Sequence, residues 1–420
     1  MKILYLIIIF ALTCNPLVSQ IVEPNYDESK VPQFTLPDPL VLFNGKAVTN
    51  SEAWELRRKE LFQLFEQEVY GVSPEWDGTL SASLLWENDQ TLGGKAKGKE
   101  VKLTLKKGER ELDLYLLIFL PNSAQPVPIF LGYNFDGNHT VTHEKETLIT
   151  KSWVSNSKEF LITNNQATAA SRGMDESSWP VEEIVSKGFG LVTLYYGDVD
   201  PDFDDGFQNG VHALMGTPRD SSSWGSVAAW AWGLSRVMDY LEENGAIDSD
   251  KVAVLGHSRL GKAALWAGAC DSRFAMVISN NSGCGGAALS KRQFGETVGV
   301  INTKFPHWFA DNYKKYNQKE DVLPVDQHQL LALIAPRPLY VASALDDRWA
   351  DPRGEFLASV AASPVWTLLG LPGLPVSEMP EVEKPVSGTI GYHIRTGKHD
   401  ITFYDWLQYL DFAEKHFLKQ

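Results

Sequence analysis

Between Val252 and Leu265 an apolar run, Val252-Ala253-Val254-Leu255, stops at Gly256-His257-Ser258-Arg259-Leu260-Gly261-Lys262 and resumes as Ala263-Ala264-Leu265. Such a pattern reads as a buried strand that turns sharply into a helix. Small residues beside the turn let the backbone fold back while the serine side chain is pushed out at its apex. There the hydroxyl sits at a helix N-terminus, where backbone N–H groups and the dipole favour developing negative charge. A turn of this kind belongs in an α/β sheet, and its serine is a candidate nucleophile. The usual spacing has glycine two residues after the serine, whereas here Arg259 and Leu260 intervene before Gly261. An ordinary strand-turn-helix with an incidental serine is the competing interpretation.

The chain has 420 residues, enough to bury a large core as one α/β domain or two smaller ones. With 44% hydrophobic and 22% charged residues it has the composition of a globular protein, far from a disordered one. A net charge of −15 without any Lys/Arg cluster argues against a nucleic-acid partner. Lys2, the apolar run 3–12 and the small, polar residues 16–20 read as a cleaved export signal, so the chain is expected to be secreted or periplasmic. No later stretch approaches the ~20 apolar residues that a membrane helix needs. The mature part keeps Cys270 and Cys284, whose pairing the sequence leaves open.

Residues 21–51 are rich in Pro, Asn and Asp and read as a surface segment. Together with the chain up to about residue 95 they form an expected N-terminal extension of a single catalytic domain spanning 21–420. A helical pattern runs from Ser51 to near Gly71, and strand patterns succeed it over 80–86, 100–105 and 111–120 as an antiparallel edge. From Val127 onwards strands and helices alternate. Strands are expected at 128–131, 190–195, 252–255, 276–279, 339–343 and 389–395, and helices at 181–187, 224–243 and 403–418. The expected fold class is therefore α/β, a three-layer αβα sandwich around a mostly parallel sheet. Two polar stretches, 134–179 and 198–223, are too long to be plain turns, and loops of that length are usually functional.

A serine hydroxyl is a poor nucleophile until a base takes its proton, and an imidazole oriented by a carboxylate is the common solution. In α/β-hydrolases the order along the chain is serine, acid, histidine, with the acid after a late strand and the histidine just before the last helix. The strand 339–343 runs into Asp346-Asp347, and Gly397-Lys398-His399-Asp400 precedes the helix at 403. Ser258, one of Asp346 and Asp347, and His399 form the candidate constellation. Asp351, before Pro352, reads as a helix cap. His257 is expected to point away from the nucleophile. No His-Glu-x-x-His, Cys-x-x-Cys or glycine-rich phosphate loop is present, so no metal and no cofactor is expected.

The chain resembles the glucuronoyl esterases, carbohydrate esterase family fifteen, particularly their bacterial branch. The resemblance rests on Gly256-His257-Ser258-Arg259-Leu260-Gly261-Lys262, on Gly132-Tyr133-Asn134-Phe135-Asp136-Gly137-Asn138-His139, on Ser282-Gly283-Cys284-Gly285-Gly286 and on Asp346-Asp347-Arg348-Trp349-Ala350-Asp351-Pro352. It covers most of residues 127–417. It implies a secreted α/β-hydrolase that cleaves the ester between 4-O-methyl-glucuronic acid of glucuronoxylan and a lignin alcohol through an acyl-enzyme. By position it makes Ser258 the nucleophile, His399 the base, Arg259 an oxyanion stabiliser, and Lys262, Glu296 and Trp349 sugar-binding residues. Fungal members carry a glutamate after the strand that follows the elbow, where this chain has Asn280-Asn281. The acid is then expected from the later loop, and positional correspondence favours Asp347 over Asp346. Fungal members also have cysteine where this chain has His257. The expected partner is a glucuronoxylan or lignin–carbohydrate ester, and the expected state a monomer. The competing functions are an acetyl xylan esterase on the same triad, a peptidase on the same scaffold, and a silent glycan-binding homologue. The first would have no use for Lys262 and Trp349, the second has no gating domain to support it, and the third conflicts with an intact serine, acid and histidine.

Overall fold

A computed structural model of the chain describes residues 23–419, so the expected export signal lies outside the described residues. Ten strands form a single sheet: β1 Thr79–Gln90, β2 Ala96–Lys107, β3 Arg110–Pro121, β4 Val127–Asn134, β5 Gly190–Tyr195, β6 Ile247–His257, β7 Met276–Asn280, β8 Leu339–Ala344, β9 Val386–Ser387 and β10 Ile390–Arg395. Their order is β1-β2-β3-β5-β4-β6-β7-β8-β10-β9. The first three strands and β5 pair antiparallel, the run from β5 through β10 is parallel, and β9 closes the far edge antiparallel. This is the architecture of an α/β-hydrolase, as the sequence led us to expect.

The physical basis of the two halves differs. Every residue of β4, β5, β7, β8 and β10 is buried, because helices cover both faces of a parallel sheet and leave no face for water. At the other end β1 is mostly exposed and β2 alternates, as antiparallel strands do when one face meets solvent. Among the described residues the five longest helices are α1 Ser51–Phe65, α2 Ser226–Glu242, α3 Arg259–Cys270, α4 Pro352–Leu368 and α5 Phe403–Ala413.

Residues 21–95, read as an N-terminal extension, divide into three kinds of structure. Residues 23–50 are largely irregular and partly exposed, α1 is built into the core, and β1 is a strand of the sheet. Trp54, Leu61, Phe65 and, beyond the helix, Tyr70 are all fully buried. The Tyr70 ring stacks on Trp266 of α3 at 4.4 Å, and Phe62 stacks on the same indole at 5.2 Å. Arg58 donates to the Ala269 carbonyl in the last turn of α3 at 2.7 Å, where a cation complements the helix dipole. The N-terminal helix thus braces the helix that carries the serine.

Boundaries differ from expectation where side chains overrule pattern. Trp224 lies just before α2 rather than in it, because Gly225 runs against the Trp308 carbonyl so closely that a Cβ there would fall 2.4 Å from it. The expected helix 403–418 ends as α5 at Ala413, and its last turn, Glu414–Leu418, is wider. A short helix, Gln327–Ala332, is an element that the periodicity did not predict. Its signal is present as Asp326 and Gln329, which form a reciprocal capping box. The long stretch 134–179 contains a buried helical turn, Asn138–Val141, and two short 3-10 turns, Ala169–Ser171 and Glu176–Ser178, between irregular segments. Cys270 and Cys284 form no disulfide among the described residues.

Candidate active site

Ligands in open α/β sheets bind at the carboxyl ends of the strands, and the candidate residues converge there. Ser258 follows β6 directly and is the N-cap of α3, with φ 56° and ψ −128°. That left-handed backbone is strained for a residue with a Cβ, and it is held from both sides. The Ser258 N–H donates to the Asn280 carbonyl on β7, and its own carbonyl accepts from Gly261. The unusual glycine spacing acquires a geometric reason here. A Cβ on Gly256 would lie 2.0 Å from the Leu260 carbonyl oxygen, and one on Gly261 would lie 3.0 Å from the Gly256 oxygen. The turn packs Gly256 against Gly261, which leaves the position of Leu260 free to carry a side chain.

The histidine and the acid meet as the chain order suggested. His399 Nδ1 and Asp347 Oδ2 are 2.6 Å apart. Asp347 is buried, and its carboxylate also accepts from Asn281 Nδ2 at 2.7 Å. Burial alone would raise its pKa, but His399, Asn281 and the Ala350 N–H outweigh it and hold the carboxyl below its ordinary value. Asn281 therefore stabilises the charge of the later-loop acid rather than supplying one. Asp346 is exposed, and Asp351 caps α4 by accepting from Gly354 while pairing with Arg292 at 2.8 Å.

His257 corrects the expectation that it points away. It lines the same cavity as Ser258, and its ring lies 4.5 Å from that of His399. Asn280 Nδ2 donates to Tyr409 Oη, which turns its Oδ1 toward His257 Nδ1 at 2.6 Å. Burial, then the neighbouring imidazole, push His257 down to about 3, so it stays neutral beside the candidate base.

Arg259 was singled out in the sequence, but its anchor was not. Asp202 binds Arg259 Nη1 and also accepts from Trp308 Nε1 at 2.7 Å, His307 Nε2 at 2.9 Å and Tyr196 Oη at 3.1 Å. Burial raises the Asp202 carboxyl, but these partners win and hold it at about 2. The guanidinium itself sits within 6 Å of Phe135, Phe305 and Trp308, and its Nε is buried without a hydrogen-bond partner. Asp202 lies in an acidic loop, Asp198 to Asp205, where nothing in the pattern distinguishes it from its neighbours.

Lys262, Glu296, Trp308 and Trp349 line one cavity of about 200 Å³ with Ser258, Arg259 and His399. Lys262 Nζ donates to the Ser282 carbonyl and stands 3.8 Å from Glu296. Burial lowers the lysine's pKa and raises the glutamate's, each against the pull of the other. Trp349 is half-buried, its carbonyl accepts from the Glu296 N–H, and Lys304 Nζ lies 4.1 Å over its ring. Below this cavity Glu355, for which the sequence carried no signal, accepts from Ser343 at 2.6 Å and from the Gly283 N–H at 3.0 Å. A second cavity of about 350 Å³ shares Ser258, Arg259 and His399 with the first and is otherwise walled by residues that include Phe135, Asp136, Phe160, Asp175, Trp179 and His257.

The known proteins that this chain is similar to are carbohydrate esterases. A family model described as glucuronyl esterase, fungi, matches residues 173–370. A carbohydrate esterase of an unknown prokaryotic organism is 51% identical over 93% of this chain and 92% of its own length. Among solved structures, a promiscuous CE15 esterase from a marine bacterial metagenome superposes with a TM-score of 0.89 at 51% identity, covering 94% of this chain and all of the other. A glucuronoyl esterase from Solibacter usitatus does so with a TM-score of 0.86 at 46% identity, covering 93% and 100%. The chain belongs to carbohydrate esterase family fifteen, the glucuronoyl esterases, and is a carboxylic ester hydrolase of the α/β-hydrolase fold.

Proposed function

We propose that this enzyme hydrolyses the ester between a glucuronic acid, with or without its 4-O-methyl group, and a lignin alcohol, by a Ser258–His399–Asp347 acyl-enzyme mechanism. The observation that carries the reading is the elbow serine at the junction of the His399–Asp347 pair and the cavity holding Lys262, Glu296 and Trp349. His399 takes the Ser258 proton as Oγ attacks the ester carbonyl, and the imidazolium is stabilised by the ionised Asp347. The tetrahedral oxyanion forms beside Arg259, whose charge Asp202 fixes in place, and next to the backbone N–H groups at the start of α3. Collapse expels the alkoxide, which takes the proton from His399 and leaves as alcohol. Water then repeats the sequence on the acyl-enzyme, releasing the free uronic acid and restoring Ser258.

The sugar is held on the side of Lys262, whose ammonium donates to ring hydroxyls, while Glu296 accepts from them and Trp349 offers an apolar face. Arg259 also explains why the elbow departs from the common pattern, since a serine followed by a cation suits a reaction that develops an oxyanion at that point. We infer that the chain works as a secreted or periplasmic monomer, with residues 21–420 acting as one catalytic domain. No helix among the described residues is long and apolar enough to cross a membrane.

The deciding experiment compares benzyl glucuronate with acetylated xylan, using wild type and Ser258→Ala. Uronate-ester hydrolysis should dominate and should fall about ten-thousand-fold or more in the variant. Turnover of acetyl groups with none of the uronate ester would replace this reading with an acetyl xylan esterase.

A further inference from the structure

The larger cavity beside Ser258 contains a carboxyl group that the hydrolytic mechanism does not use. Asp136 follows Phe135 just beyond β4, is 9% exposed, and takes no hydrogen bond from the protein among the described residues. Its carboxyl opens into the cavity rather than being sealed inside the protein, so a group that enters the cavity can hydrogen-bond it. Asp175, equally buried, stands on the same wall but accepts from Trp179 Nε1 at 3.1 Å, and Glu159 and Asp400 close the rim. Between these acids lie the rings of Tyr133, Phe135, Phe160 and Trp179.

Resting on the uronate reading above, we propose that this cavity receives the alcohol half of the ester. We propose further that Asp136 makes it select aryl alcohols carrying a free hydroxyl and reject aryl alcohols carrying a carboxylate. The ester carbonyl must sit at Ser258, which both cavities share, so with the sugar in the Lys262 cavity the other cavity is left for the alcohol. Its volume of about 350 Å³ and its aromatic lining suit a substituted ring. Burial, then Asp175 and Glu159, push the Asp136 carboxyl up to about 7 against the pull of Arg259. Near neutral pH it therefore exists both protonated and ionised, and a hydroxyl, able to donate and accept, satisfies either form. A carboxylate satisfies only the protonated one, and it also meets the field of Asp175, Glu159 and Asp400.

Three glucuronate esters, of benzyl, 3-(hydroxymethyl)benzyl and 3-carboxybenzyl alcohol, test the inference in wild type and in Asp136→Asn, with methyl glucuronate as the reference without a ring. Wild type should favour the hydroxymethyl over the carboxy ester by on the order of tenfold or more in kcat/KM. Asp136→Asn, checked for folding by its melting curve, should shrink that ratio at least threefold by raising kcat/KM for the carboxy ester relative to the benzyl ester. Equal rates on the carboxy and hydroxymethyl esters in wild type would overturn the proposal. So would an unchanged ratio in the folded variant. If methyl glucuronate itself is not cleaved, the uronate reading fails and takes the inference with it; if it is cleaved and the ratios are flat, only the inference fails.

Discussion

The two cavities that meet at Ser258 are built on opposite principles. On the Lys262 side a buried cation and a buried acid face each other at 3.8 Å, so these two charges are already paired before substrate arrives. On the Asp136 side a carboxyl with no hydrogen-bond partner among the described residues opens into the cavity beside aromatic rings and further acids. The first arrangement suits a ligand of fixed polar geometry such as a sugar ring. The second suits a partly apolar group recognised by a single polar contact and by exclusion of charge. Arg259 stands at the boundary, where Asp202 ties its guanidinium down and lets the same cation serve both sides.

The largest expected effect falls on the part common to both cavities. Asp347→Asn should lower kcat on every ester by about a hundred- to ten-thousand-fold, since an amide leaves the His399 imidazolium without its counter-charge. Asp346→Asn should stay near wild type. The reverse result in steady-state kinetics would move the acid by one position. A difference between the cavities should emerge from Lys262→Met, which removes a donor from the sugar side alone. We expect a loss of about 10- to 100-fold in kcat/KM for uronate esters and a much smaller one for 4-nitrophenyl acetate, which has no sugar to hold. Equal losses on both substrates would mean that Lys262 shapes the elbow through Ser282 rather than binding substrate.

The smallest effect concerns stability against pH. The Asp136 carboxyl, pushed up to about 7 in the folded protein, binds protons more tightly folded than unfolded, where an aspartate titrates near ~3.9. Its contribution therefore falls as pH rises through the window between those values, and above it the ionised group is a burden on the fold. Asp136→Asn should gain about 1–4 kcal/mol relative to wild type at pH 8 and close to nothing at pH 4, read from denaturant melts. A variant equally stabilised at both pH values would show that charge is not the cause.

How far the site was legible in the sequence depended on the kind of signal each residue left. Ser258, His399 and Asp347 could be picked out as candidates because strand ends, acidic loop and last helix follow an order that chain topology enforces, and the apolar strands announce themselves by composition. Lys262 and Arg259 were visible only as oddities beside the serine, and Glu296 had no local signal at all. Asp202, Asn281 and Glu355 escaped altogether or were misjudged in role, because each acts through partners 57 to 72 residues away in the chain, such as Arg259, Asp347 and Gly283. His257 was read as facing away because a tight turn alternates directions, but the bond from Asn280 turns its ring toward His399.

By itself the sequence determined the α/β class, the elbow and the order of the candidate serine, acid and histidine, since local periodicity and turn chemistry are written into neighbouring residues. Only the tertiary structure decided that Gly261 replaces the missing glycine by packing on Gly256, that Asn281 supports Asp347, and that a bare carboxyl faces the second cavity. These are properties of burial and of contacts between distant strands, and burial changes what a carboxyl, an imidazole or an amine does without changing the residue that carries it.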